Sequence, residues 1–91
     1  MSHKHEQVLR TIFHDPISGN LHWRDVESLL HHLGAQVEPH GGGRIHVRLN
    51  GVEGVLHHPH HSNVLDRSGV RQIREYLAHA RVTPSQYEAG A

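Results

Sequence analysis

Arg44, His46 and Arg48 recur at every second position of the chain, with Ile45, Val47 and Leu49 between them. A guanidinium grips phosphate through two parallel N–H donors, and an imidazole exchanges protons near neutral pH. Cleavage of an RNA backbone needs both groups: a cation for the charge that builds around phosphorus, and a general acid or base for the 2′-hydroxyl and the leaving oxygen. The same pattern describes an ordinary solvated face of a two-layer domain, so spacing alone leaves both readings open.

A second group is His57, His58, His60 and His61, four imidazoles within five residues. Imidazole is a ligand for zinc, nickel and copper. The chain has no cysteine, and Glu53 and Asp66 stand at no fixed ligand spacing from these histidines. Known zinc sites join two spaced pairs of ligands, and His22, His31 or His32 could in principle complete one here. The expectation is therefore no resident metal and no cofactor; any metal would fall to these four residues. A third group, Arg67, Arg71, Arg74 and Arg81, has the spacing of one helix face. Phosphate contact and a solvated face beside Glu75 both account for it.

These side chains need elements to hold them. The alternation from Arg44 to Leu49 is the period of a half-buried strand. Asn50-Gly51 is a strong two-residue hairpin signal, and a return strand runs through Leu56. A two-residue turn fixes the register. Leu49 then faces Val52, Val47 faces Gly54 and Ile45 faces Leu56 on the core side. On the other side Arg48 faces Glu53, His46 faces Val55 and Arg44 faces His57. Ala35, Val37 and Pro39 alternate with Gln36, Glu38 and His40 as a short edge strand, broken by Gly41-Gly42-Gly43. Pro59 makes the histidine-rich stretch after it a loop.

Three helices complete the pattern. His3 to Phe13 carries His5, Val8, Leu9, Ile12 and Phe13 on one face and is stopped by Asp15-Pro16. His22 to Leu33 carries Val26, Leu29, Leu30 and Leu33, with Trp23 as an apolar anchor at its start. Gly34 stands where a left-handed residue ends a helix. Asp66 can cap a last helix whose stripe is Val70, Ile73, Leu77 and Ala80. Thr83-Pro84-Ser85-Gln86 has the form of a capping box that starts one further turn around Tyr87. The fold class is α+β in the order α-α-β-β-β-α, a three-stranded antiparallel sheet packed by helices on one face.

Ninety-one residues suit one domain. Nine cations, eight of them arginine, balance nine carboxylates. That balance excludes a general basic footprint for nucleic acid and leaves only local patches. The thirteen histidines change this below neutrality, since the reference imidazole pKa is ~6.5. No apolar run approaches the ~20 residues of a membrane span, and the N-terminus has no signal-peptide core. The expectation is a cytoplasmic protein that does not enter a membrane.

From about Leu21 to Ile73 the chain resembles the HicA-type toxins of bacterial toxin–antitoxin pairs. The resemblance rests on Leu33-Gly34, Gly42-Gly43-Arg44, the Asn50-Gly51 hairpin, His58-Pro59-His60-His61, Leu65 and Val70-Arg71-Gln72-Ile73. It implies a double-stranded-RNA-binding-domain-like fold, RNA as the partner, mRNA interferase activity and a HicB-like antitoxin. The position where the family carries its active histidine is Arg44 here. His46, two residues on and on the same face, then becomes the proton-transfer candidate together with His57. Arg44, Arg48, Arg71 and Arg74 become the RNA-binding candidates. Residues 1–16 form an extra N-terminal helix before a domain over 17–91, within one compact unit. The implied function is an RNA-binding protein with weak or degenerate interferase activity; the alternative is a non-enzymatic interaction or metal-binding module centred on the histidine loop.

Overall fold

The computed structural model describes residues 3–17, 19–59 and 63–85. The elements are α1 (His3–Ile12), β1 (Leu21–His22), α2 (Trp23–His32), β2 (Gln36–His40), β3 (Arg44–Leu49), β4 (Val52–His57), β5 (Val64–Leu65) and α3 (Arg67–His79). The three-stranded antiparallel sheet has the order β2-β3-β4, and its α+β class is the one expected. Asn50 and Gly51 both have positive φ, 53° and 78°, the backbone of a type I′ turn. All six pairs of the β3–β4 register, from Leu49↔Val52 to Arg44↔His57, are those the turn dictates.

The core follows the apolar stripes. Ile45, Val47, Leu49 and Leu56 are buried beneath the sheet. Val26, Leu29 and Leu30 of α2 and Val70, Ile73 and Leu77 of α3 close over them. Helix α1 buries Val8, Leu9 and Ile12 and packs against α2 and α3. Asp66 caps α3 by accepting the Gly69 N–H at 2.8 Å, and Gly34 (φ 86°) ends α2 as expected.

Gln72 and Tyr76 of α3 and Ala80, the residue just past it, spaced four apart, fasten that helix to the β3–β4 hairpin. The Gln72 amide oxygen accepts the backbone N–H of His57 at 3.2 Å. The Tyr76 hydroxyl donates to the Val52 carbonyl at 2.7 Å. The Ala80 carbonyl accepts from the Asn50 side-chain amide at 2.8 Å. Burial raises the Tyr76 pKa, a shift only partly offset by a backbone hydrogen bond at Leu49, so the phenol stays a donor. β4 is an edge strand, and the Gln72 bond takes up the N–H of His57 at one end of that edge.

Four sequence expectations need correction. β1 and β5 form a second, two-stranded antiparallel sheet with Leu21 opposite Leu65. Two-residue strands carry no alternation to read, and tertiary pairing alone makes them. Helix α2 accordingly starts at Trp23 rather than His22, and the Trp23 N–H donates to the Asn63 carbonyl at 2.6 Å. Pro39 shares the inward face with its partner Ile45, as the alternation requires, but stays exposed at the end of β2. Arg81 does not extend the arginine face of α3: the helix stops at His79, and Arg81 has a left-handed φ of 64°. Gln86 and Tyr87, the end of the expected capping box, lie outside the described residues.

Candidate functional site

The outer face of the sheet is built in three cross-strand rows. His40, Arg44 and His57 form the first, Glu38, His46 and Val55 the second, and Gln36, Arg48 and Glu53 the third. All nine side chains are exposed. Alternation puts them there: successive side chains along a strand point to opposite faces, and Ile45, Val47, Leu49 and Leu56 take the buried one. Arg44, His46, Arg48 and His57 are thus brought to one surface. Val55, 41% exposed, is the large apolar side chain left uncovered among the described residues.

Within this surface the imidazoles of His40 and His46 stack, with ring centroids 3.8 Å apart and planes 22° from parallel. His40 Nε2 lies 3.9 Å from the Glu38 carboxylate, an ion pair when the ring is protonated. Arg44 donates from Nε to the Gly41 carbonyl at 3.3 Å, which holds its stem over the glycine turn. A depression of about 220 Å³ opens among Gln36, Glu38, His46, Arg48 and Glu53. A second hollow of about 330 Å³ lies at the other end, between Pro39, His40, Arg44, His58 and Pro59. Two arginines and two glutamates cancel on this face, so protonation of its three histidines decides its sign.

The other candidates sit elsewhere. Arg71 is exposed on α3, away from the three rows. Arg74 turns inward: Nε donates to the Ile12 carbonyl at 2.8 Å, a terminal nitrogen donates to the His14 carbonyl, and the Phe13 ring lies beneath the guanidinium. His58 follows β4. Its backbone N–H donates to the Gly43 carbonyl at 2.8 Å, its Nδ1 donates to the Pro59 carbonyl at 2.8 Å, and its ring meets Trp23 edge-on at 5.6 Å. His60 and His61 lie outside the described residues. Among the described residues no group of three or more His, Asp or Glu could hold a metal ion.

Two members of the site had no role in the sequence reading. His40 is placed beside Arg44 by the short Gly41–Gly43 connection, and counting back across that turn would have found it. Gln72 gave no signal, because its partner, His57, is 15 residues away on another element.

The family model for the HicA toxin of bacterial toxin–antitoxin systems matches residues 23–82, more than half of the chain. The chain belongs to the HicA toxin family. The match begins at α2 and covers the whole β2-β3-β4 sheet and α3, while α1 lies outside it. No curated protein and no solved structure matches the chain. Among the described residues no helix is long and apolar enough to cross a membrane.

Proposed function

We propose that this HicA-family chain binds RNA through the outer face of its sheet and cleaves it slowly or not at all. The observation that carries the reading is the first cross-strand row, which sets Arg44 between His40 and His57. Arg44 and Arg48 contact phosphate, and the stacked His40–His46 pair beside Val55 offers a flat surface of the kind on which unpaired bases stack. Arg71 adds charge from α3.

In RNA cleavage of this type a base takes the 2′-hydroxyl proton as the 2′-oxygen attacks phosphorus. The bond from phosphorus to the 5′-oxygen breaks, and an acid returns a proton to that oxygen. His57 and His46 take these roles in this reading, and His40 is the third imidazole on the face. Arg44 cannot replace an imidazole, because a guanidinium keeps its proton at any physiological pH. If the family's histidine has become Arg44, phosphate contact survives and proton transfer is weakened by the ~10²–10⁴ that general acid–base catalysis supplies. A HicB-like antitoxin would cover the same face, and the setting is the cytoplasm.

The test is a titration with single-stranded and hairpin RNA at pH 7.5 and pH 6, with the RNA then run on a gel. Wild type should bind more tightly at the lower pH, Arg44→Ala should bind less, and Arg44→His should cleave faster. Strong wild-type cleavage abolished by His46→Ala would show a full nuclease with His46 in the lost histidine's place. No binding at either pH removes the RNA reading and leaves an interaction module.

A further inference from the structure

The Gln72 side chain of α3 meets His57 twice. Its Oε1 lies 3.2 Å from the His57 backbone nitrogen and 3.2 Å from Nδ1 of the same residue. The donor logic is strict. A backbone N–H can only donate, so the amide atom facing it must be the oxygen. An amide oxygen can only accept. Nδ1 therefore carries hydrogen, and the lone pair of the neutral ring is left on Nε2, on the side away from Gln72.

We infer that Gln72 is a positioning residue for His57: it fixes the ring's tautomer and orientation so that Nε2 is the proton acceptor beside Arg44. The inference rests on the outer sheet face being the RNA site. Three further contacts make the arrangement rigid. Arg44 is paired directly across from His57 on β3. The next residue, His58, is tied through its N–H to the Gly43 carbonyl. Gln72 itself is half-buried, one turn before Tyr76, which anchors the same helix to the other end of β4. A ligand histidine or a catalytic one commonly takes its tautomer from a hydrogen bond at its other ring nitrogen, and loss of such a partner typically costs about 10–100-fold in function.

The experiment reads the tautomer directly. Long-range proton–nitrogen NMR on uniformly ¹⁵N-labelled protein at pH 8, above the reference imidazole pKa of ~6.5, distinguishes a protonated Nδ1 from a protonated Nε2. Wild-type His57 is expected in the Nδ1–H form. Gln72→Leu should release it to a mixture or to the Nε2–H form, and Gln72→Glu, which keeps an acceptor oxygen at this position, should retain Nδ1–H. In parallel, in the Arg44→His background, Gln72→Leu should slow RNA cleavage by about 10–100-fold, and Gln72→Glu should restore much of it. A wild-type ring in the Nε2–H form, or a tautomer indifferent to Gln72→Leu, overturns the inference. A tautomer that obeys Gln72 in a protein that neither binds nor cleaves RNA upholds the hold on the ring and overturns the RNA reading instead.

Discussion

The guanidinium of Arg74 donates to the carbonyl of Ile12, 62 residues earlier, at 2.8 Å. A second N–H of the same group reaches the His14 carbonyl. These carbonyls lie at and just beyond the C-terminal end of α1, where a helix leaves its last acceptors without intrahelical partners. A forked, permanently charged donor suits two such acceptors at once. Arg74 therefore ties the helix that lies outside the family match to the last helix inside it.

This fixes the first prediction. Arg74→Ala should lower unfolding free energy by about 1.5–3 kcal/mol, the range for hydrogen bonds made by charged groups. Arg71→Ala, on the exposed side of α3, should stay within about 0.5 kcal/mol of wild type. Arg74→Lys should recover little, because one ammonium lacks the fork. Urea denaturation followed by circular dichroism measures all three. Undiminished stability in Arg74→Ala together with lost RNA affinity would return Arg74 to the phosphate-binding set.

The second prediction concerns acid. His5 on α1 stacks on His32 of α2 at 4.4 Å, and its Nε2 meets the Ser28 hydroxyl at 2.9 Å. Its Nδ1 is buried and has no hydrogen-bond partner among the described residues. Desolvation, then the neighbouring His32 and Lys4, lowers its pKa below 6.5; Lys4 in turn faces Asp25 at 3.4 Å. A histidine whose folded pKa is depressed binds its proton more readily when unfolded. Its contribution to stability is thus complete above about pH 6.5 and is lost as pH falls toward the folded value. Melting temperature should drop between pH 7 and pH 5, and His5→Phe should flatten that part of the curve. An unchanged slope in His5→Phe would assign the acid sensitivity to other histidines.

Much of this architecture is legible in the sequence for a plain reason. Asn50-Gly51 fixes a two-residue turn, and from that one constraint the register, the buried set and the outer row of Arg44, His46 and Arg48 all follow. The helix stripes are equally direct, since burial of Val26, Leu29 and Leu30 needs only a 3.6-residue period. What stays hidden are contacts between side chains and distant backbone. Arg74 has the same local surroundings as a phosphate-binding arginine, and only the packed position of α1 shows where its guanidinium goes. Gln72 and the β1–β5 pair are hidden for the same reason.

The third prediction uses the close approach of Tyr76 to Gly54. A Cβ on Gly54 would lie 2.4 Å from Tyr76 Cδ1, so the ring crosses β4 where a side chain would otherwise stand. Gly54→Ala should cost about 1–3 kcal/mol, as over-packed interiors do. Tyr76→Phe keeps the ring and loses the bond to the Val52 carbonyl, at about 1 kcal/mol. Combining Gly54→Ala with Tyr76→Leu should cost less than the sum of the two single changes, because the leucine leaves room for the methyl group. Strict additivity in urea titrations would mean that the ring can move aside at no cost.

The last prediction tests which face meets RNA. Each phosphate that a cation neutralises releases counterions, and for a single strand the slope of log affinity against log salt falls by about 0.7 per contact. Arg44 and Arg48 stand on the outer sheet face, whereas the Arg74 guanidinium is turned to carbonyls of α1. Arg44→Ala and Arg48→Ala should each reduce the slope by about 0.7, and Arg74→Ala should leave it unchanged. Glu53 shares a row with Arg48, so Glu53→Gln should raise affinity by removing a charge that repels phosphate. Glu6, on α1, which packs against α2 and α3, should give no such gain when changed to glutamine. Fluorescence anisotropy with a labelled single strand at four or five salt concentrations gives every slope. Equal slopes for wild type, Arg44→Ala and Arg48→Ala, with a reduced slope only in Arg71→Ala, would move the RNA from the sheet to the exposed side of α3.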